Sequence, residues 1–233
     1  MLDFSRFQYL TFDCYGTLVD WETGILGALR PVLEAHGKGV ADSRLLELYG
    51  ELEAQEESGP FVVYSEVLRS VVRGLGKKLG FTPTLVEEDA LPKSLSRWRP
   101  WPDTVAALRE LKTRYKLAII SNVDDDLFAP TARHLQVPFD YVVTAGQARC
   151  YKPGLAIFQM ALKRIGVPAG DVLHVGQSIY HDVLPAQSLG MKTVWVNRPS
   201  ARANVGAVIP ASGKPDLEVR GLAELATLAV HRP

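Results

Sequence analysis

Cysteine is scarce, with Cys14 and Cys150 the two thiols in 233 residues. Two thiols make neither a disulfide framework nor a zinc cluster, so the fold rests on its own core, and the count points to a reducing compartment. Net charge is absent as well, with 26 Lys and Arg against 26 Asp and Glu. No global field therefore draws the chain to nucleic acid or to an anionic membrane. No apolar run approaches the roughly 20 residues that span a bilayer. The opening Met-Leu-Asp-Phe-Ser-Arg-Phe lacks a charged stretch followed by an apolar one. Internal repeats and low-complexity tracts are missing too. What is left is a cytoplasmic globular chain whose partners are small molecules. With 47% hydrophobic residues and a mean hydropathy of +0.02, a chain this long buries roughly 70% of its unfolded surface and needs no staple.

What is present is an alternation of two patterns. Short apolar runs rich in β-branched and aromatic residues recur at Tyr9 to Phe12, Leu117 to Ile120, Tyr141 to Thr144, Val172 to Val175 and Thr193 to Val196. Amphipathic stretches lie between them, at Thr104 to Tyr115, Leu155 to Ile165 and His181 to Leu189. Strand-helix alternation of this kind builds βαβ units, so the expected fold is α/β, a doubly wound parallel sheet. From about Thr23 to Arg97 the rhythm changes to helical spacing alone, as in Ile25, Leu29, Val32, Leu33 and Val63, Val67, Leu68, Val71, Val72, Leu75. The expected organisation is a core of residues 1–20 and 98–233, with a helical cap of residues 21–97 inserted after the first strand. Two prolines in Trp98-Arg-Pro-Trp-Pro-Asp forbid a continuing helix, and Asp103 can cap the next one. Pro199 to Pro215, rich in breakers, reads as a surface loop.

The strand ends carry polar residues that a buried strand does not need. Asp13 follows Tyr-Leu-Thr-Phe, Ser121-Asn122 follows Leu-Ala-Ile-Ile, and Gln177-Ser178 follows Leu-His-Val-Gly. In open α/β sheets ligands bind outside the carboxyl ends of the strands, so these groups should converge on one crevice. Lys152, a short loop beyond the Tyr141 strand, brings a cation to the same rim. A carboxylate, an ammonium and neutral donors make a nucleophile with an orienting shell. Each residue also has an ordinary reading. Asp13 could close the Tyr15-Gly16-Thr17 turn, Ser121-Asn122 could cap a helix, Asp182 could sit in a helix's first turn, and Lys152 could be a solvated loop lysine. His174 reads as a satisfied core histidine, Asp124 to Asp126 as a solvated helix start, and Glu51, Glu53, Glu56 and Glu57 as a solvated helix face, although such an acidic stretch would also suit an ammonium-bearing substrate.

Four ordered motifs make a more specific pattern: Phe12-Asp13-Cys14-Tyr15-Gly16-Thr17-Leu18, then Ser121-Asn122, then Tyr151-Lys152-Pro153, then Gly176-Gln177-Ser178-Ile179-Tyr180-His181-Asp182. Together they resemble the haloacid dehalogenase (HAD) superfamily, with the helical insert in the place of that family's cap. Val19-Asp20-Trp21-Glu22-Thr23-Gly24 extends the likeness to the type II 2-haloacid dehalogenase branch and to its relatives that open the ring of azetidine-2-carboxylate.

The resemblance implies that Asp13 attacks C2 of a small 2-substituted carboxylate and forms an ester that water hydrolyses, with no cofactor required. Lys152 would keep Asp13 ionised. Ser121 and Asn122 would hold the substrate carboxylate, Thr17 and Ser178 would position the nucleophile or its surroundings, and Asp182 would orient Lys152 and the hydrolytic water. Family phosphatases carry a second aspartate two positions after the nucleophile and a Mg²⁺-binding aspartate in the last motif, where this chain has Tyr15 and Gln177. Tyr15 therefore counts here with the substrate-binding residues, and Mg²⁺ belongs to a phosphatase reading alone. The departures are Gly50 at the place of a halide-receiving arginine, Phe158 at a common tyrosine and Ile179 at an asparagine. A ring-amine leaving group would need a proton donor, for which Tyr15, Tyr180 and His181 are candidates. Three readings stand: a hydrolase acting at carbon, by dehalogenation or ring opening; a phosphatase with an altered site; and a silent binder of a small carboxylate. The family resemblance also allows a homodimer.

Overall fold

A computed structural model describes residues 2–202 and 206–231. Its centre is a six-stranded sheet in the order β3-β2-β1-β4-β5-β6, with every neighbouring pair parallel. The strands are β1 (Tyr9–Phe12), β2 (Lys116–Ser121), β3 (Tyr141–Thr144), β4 (Val172–Gly176), β5 (Lys192–Val196) and β6 (Leu217–Val219). The doubly wound α/β fold is thus as expected, and the apolar runs became strands because they are buried on both faces. β6 is the strand that sequence reading missed. Three residues flanked by breakers carry no periodicity to detect.

The chain steps outward from β1 through β2 to β3, then returns to β4 and steps outward the other way, so the sheet reverses its direction at β1. Phe12 is in register with Ile119 of β2 and Val175 of β4. Asp13, Ser121 and Gln177 therefore emerge at one carboxyl edge, beside the switch point where open α/β sheets bind ligands.

Between β1 and Trp98 stand five α-helices: α1 (Trp21–Ala35), α2 (Asp42–Glu57), α3 (Tyr64–Leu79), α4 (Leu85–Glu88) and α5 (Ala90–Ser94). Asp20 caps α1 by accepting from the Thr23 amide at 3.2 Å. In α3, Val67, Leu68, Val71, Val72 and Leu75 are buried, the apolar stripe that its spacing predicts. The outgoing and returning connections run side by side, with Asp20 N donating to Arg99 O and Trp101 N to Leu18 O.

The remaining helices flank the sheet: α6 (Thr104–Leu111), α7 (Asp125–Leu135), α8 (Ala145–Ala148), α9 (Leu155–Ile165), α10 (Leu184–Ser188) and α11 (Leu222–Val230). Several local expectations are corrected by their surroundings. Asp103 makes no side-chain cap to α6; its carboxylate binds Arg198 at 2.8 and 3.0 Å and accepts from Ala223 N in the first turn of α11. Ser121-Asn122 does not cap α7, whose N-cap is Asp124. Asp124 is not solvated but buried, accepting the Ser65 amide. The stretch expected as one helix from His181 to Leu189 divides into a π-helical turn (Ile179–Val183) and α10. Nor is the Pro199 to Pro215 stretch wholly superficial, since Ala207 and Val208 are buried; its residues 203–205 lie outside the described residues. Cys14 and Cys150 are unpaired.

Candidate active site

Asp13 leaves β1 with its amide still held by Val175 O at 2.9 Å, so the sheet itself aims the residue. The chain then turns sharply. Gly16 takes φ +92°, and a Cβ there would lie 2.9 Å from the Trp21 indole nitrogen. The turn brings Thr17 back onto Asp13, where its hydroxyl donates to Oδ2 at 2.7 Å. Thr17 Oγ1 in turn accepts from the Gln177 amide at 2.8 Å, tying the first loop to the end of β4.

Lys152 Nζ lies 2.7 Å from Asp13 Oδ1 and 2.6 Å from Asp182 Oδ1. Its side chain is 2% exposed, so the loop-lysine reading fails and the ammonium is a buried bridge between two carboxylates. Such a charge is tolerable because both partners are near and opposite in sign. The two aspartates raise the ammonium's pKa well above that of an ordinary lysine, against the effect of burial. Asp182 is held well below the usual carboxylate range by Lys152 and by His174, although burial alone would raise it. Burial pushes Asp13 upward, while Lys152 and Thr17 oppose it by favouring the anion.

Besides Lys152, Asp182 is positioned by Ser178 and by His174, which Thr11 holds in turn. Ser178 N donates to Oδ2 at 3.2 Å, His174 Nε2 stands 3.3 Å from Oδ1, and Thr11 Oγ1 pairs with the other ring nitrogen of His174 at 2.9 Å. His174 is satisfied, as expected of a core histidine, and also supports the ion pair. Ser178 works on Asp182 rather than on Asp13, and its hydroxyl caps the π turn by accepting from His181 N. Turns of this rare kind are frequent at functional sites.

A small pocket, about 40 Å³ in volume, opens over Asp13, its floor made by the strand ends and its roof by Trp21, Glu53, Glu57 and Tyr64 of the helices between β1 and β2. All the residues singled out at the strand ends line it except Thr17, which stands behind Asp13. Ser121 is 1% exposed, and its hydroxyl has no hydrogen-bond partner among the described residues. Asn122 is already engaged. Its side chain accepts from Lys152 N at 2.7 Å and donates to Lys152 O at 3.1 Å and Glu57 Oε2 at 3.0 Å. Its amide therefore already donates to one carboxylate, that of Glu57.

The four-glutamate stretch is thereby corrected for two of its members. Glu53 is buried and accepts the hydroxyl protons of Tyr49 and Tyr64 at 2.7 and 2.6 Å. The Glu57 side chain is 5% exposed. Burial raises Glu53 to about 7 and pushes Glu57 up as well. The sequence marked both as acidic but not as buried, although Leu45, Leu46, Tyr49 and Leu52 mark the buried face of α2 on which Glu53 falls. The proposed proton donors fare differently. Tyr15 lines the pocket but its hydroxyl bonds Thr131 at 3.0 Å. Tyr180 faces an adjoining pocket rather than this one. His181 does line the pocket, yet burial lowers it to about 4, so it is neutral at pH 7.

A magnesium ion of the phosphatase kind does not fit here. Position 177 offers an amide and position 15 a bonded phenol, while both oxygens of Asp182 are committed to Lys152, His174 and Ser178.

The family model for haloacid dehalogenase-like hydrolases matches residues 7–190. The chain belongs to this family. It is a hydrolase, and its likeness is to the type II 2-haloacid dehalogenases. An (S)-2-haloacid dehalogenase of Pseudomonas putida is 27% identical over 97% of this chain and 98% of its own. The L-2-haloacid dehalogenase of Xanthobacter autotrophicus superposes with a TM-score of 0.80 at 22% identity, covering 95% of this chain and 98% of that one, and has also been solved with chloropropionic acid covalently bound. A phosphatase relative exists too: the 5-amino-6-(5-phospho-D-ribitylamino)uracil phosphatase YigB of Escherichia coli is 27% identical over 96% of this chain and 97% of its own. Overall identity does not separate the two chemistries. No helix among the described residues of this family member is long and apolar enough to cross a membrane.

The position expected to lack the halide arginine is filled by main chain. A Cβ on Gly50 would lie 2.7 Å from Ala207 O. Among the described residues that line the pocket, Lys152 is the one cation.

Gly176 shows how tightly the ion pair is built, since a Cβ there would come within 2.4 Å of Asp182 Cβ and Cγ. Gly176→Ala must push Asp182 off Lys152. The expected cost is about 1–3 kcal/mol of stability, read as a lower denaturant midpoint, together with slower turnover. Glu53 supplies a pH test. Its folded pKa of about 7 lies above the ordinary 4.5, so between those values the folded protein holds a proton that the unfolded chain releases, and stability falls as pH rises. Glu53→Gln, which still accepts from both tyrosines, should abolish that component and gain on the wild type from pH 4.5 to 7. His181, depressed to about 4, contributes the opposite slope, so the two single variants must be measured separately.

Proposed function

We propose that this hydrolase substitutes at the C2 carbon of a small 2-substituted carboxylic acid through an ester on Asp13. An Asp13 oxygen attacks C2, the C2–X bond breaks, and X departs with the electron pair. Water then adds to the Asp13 carboxyl carbon and the ester opens, releasing the 2-hydroxy acid and a proton and restoring the carboxylate. Lys152 holds Asp13 as an anion and aims it, and Thr17 fixes its second oxygen. Asp182 keeps Lys152 in place. Ser121 offers its open hydroxyl to the substrate, and the helices above exclude water while Asp13 is alkylated.

The observation that carries this reading is a buried aspartate held by an ammonium and a hydroxyl, with no carboxylate at either of the two further positions that phosphoryl transfer uses. The covalent chloropropionate of the Xanthobacter relative accords with it. No metal enters the scheme, because the residues do not fit one. The absence of a cation at position 50 leaves halide departure without its usual receiver, which favours a leaving group that takes a proton.

The test is intact and peptide mass spectrometry after turnover in H₂¹⁸O with a chelator present, using 2-haloacids and azetidine-2-carboxylate. Label accumulating in Asp13 over several turnovers is the expected result. Magnesium-dependent release of phosphate from a generic ester, without label in Asp13, would instead establish the phosphatase reading.

A further inference from the structure

Glu53 and Glu57 lie one helical turn apart on α2 and both face the pocket over Asp13. With Asp13 and Asp182 they make four carboxylates around a single ammonium among the described lining residues, that of Lys152, which is already shared by the two aspartates. Glu57 Oε1 is buried and has no hydrogen-bond partner among the described residues. Two neutral groups in the same pocket are likewise unspent: Ser121 Oγ and His181 Nε2 are buried without partners, the latter 4.0 Å from Glu57 Oε2. Both hydroxyls that reach Glu53 go to Oε1.

Buried carboxylates are ordinarily paired, because leaving the charge without a partner in a dry site is costly. A simple 2-haloacid would bring a fifth carboxylate and no cation. A protonated nitrogen would supply the missing charge and the missing donors together. We infer that Glu53 and Glu57 form an ammonium subsite, and that the substrate is a small amino-bearing 2-substituted carboxylic acid rather than a plain 2-haloacid. The nitrogen lies under Glu57 Oε1 and the unoccupied side of Glu53, and Ser121 Oγ remains for the substrate carboxylate. The raised pKa values of the two glutamates agree with a pocket that lacks its counter-charge.

This inference deepens the ester chemistry proposed above, and the experiment separates the two. Binding is measured by calorimetry with 3-aminopropionate and butanoate, which share a shape and differ in an ammonium against a methyl and which carry no leaving group. Wild-type protein should prefer 3-aminopropionate by at least about tenfold, the fold-change of one charge-assisted hydrogen bond. Glu57→Gln, which can still accept from Asn122, should reduce the preference, and adding Glu53→Gln should abolish it; circular dichroism of each variant confirms the fold. The reactive pair 3-amino-2-chloropropionate and 2-chlorobutanoate is then compared by ¹⁸O entry into Asp13.

An equal or reversed binding preference, a preference that Glu57→Gln leaves untouched, or failure of both ligands to bind overturns the ammonium subsite. Labelling of Asp13 by 2-chlorobutanoate alongside such a result would leave the ester chemistry standing without the subsite. A retained amine preference with no label from either chloride would do the reverse.

Discussion

Asp13→Asn should abolish turnover, lowering it by at least about 10⁴-fold, the scale on which removal of a catalytic nucleophile is felt. Asparagine has nearly the same shape, and its carbonyl can still accept from Thr17, so the turn at Gly16 and the link to Gln177 N should survive. What is lost is the anion. A neutral amide has no lone pair basic enough to displace a group from carbon, and no ester forms at residue 13. The decisive readout is the mass of the active-site peptide after incubation in H₂¹⁸O: label in the wild type, none in the variant. A silent binder would show ligand affinity in both proteins and label in neither. Retained turnover in the variant would end the nucleophile assignment.

The second large effect is expected at Lys152. Lys152→Met keeps the length of the side chain but removes the charge that lies 2.7 Å from Asp13 and 2.6 Å from Asp182. Breaking a buried ion pair by deleting one partner typically costs about 3–5 kcal/mol, because the remaining charge is left uncompensated. Here two carboxylates would be stranded together. Their pKa values would rise in the folded state, so the folded variant would hold protons that its unfolded chain releases, and its stability would fall as pH rises above the ordinary aspartate value. In the wild type Asp182 behaves oppositely: its depressed pKa gives a stabilisation that is present above 3.8 and is lost as pH falls. The gap between the two proteins should therefore be widest at neutral pH and shrink on acidification, as chemical denaturation across pH 3 to 7 would reveal. Turnover should fall by about 10³-fold or more, since a protonated Asp13 is no nucleophile. A gap that is constant with pH would mean that the lysine contributes packing rather than charge.

The architecture was legible because its signals are local. Tyr9 to Phe12 and Val172 to Val175 are short, wholly apolar and β-branched or aromatic, a pattern that pays off only when both faces are covered. The helical spacing of Val67, Leu68, Val71 and Val72 likewise admits one face for burial. Asp13, Lys152 and Asp182 were legible through motif order, and strand ends of a parallel sheet must meet at one edge. Roles that depend on an approach from a distant segment were not. Asp103 stands before a helix, the usual place for a cap, yet the buried Arg198 guanidinium and the end of α11 take its carboxylate. Asn122 had the chemistry to receive a carboxylate, and nothing near it in the chain said that Glu57 occupies that acceptor place.

By itself, then, the order of residues determined the sheet, the insertion of helices after β1, and the strand-end aspartate with its ammonium, because period and strand-end position are properties of neighbours in the chain. Tertiary structure alone decided the character of the pocket. It laid Glu53 and Glu57 over Asp13 and set Ala207 against Gly50. It also left the Ser121 hydroxyl open. Burial and pairing of charge, which set both pKa and ligand preference, are fixed by what packs from the far side of the chain, and that information is held in no local window of sequence.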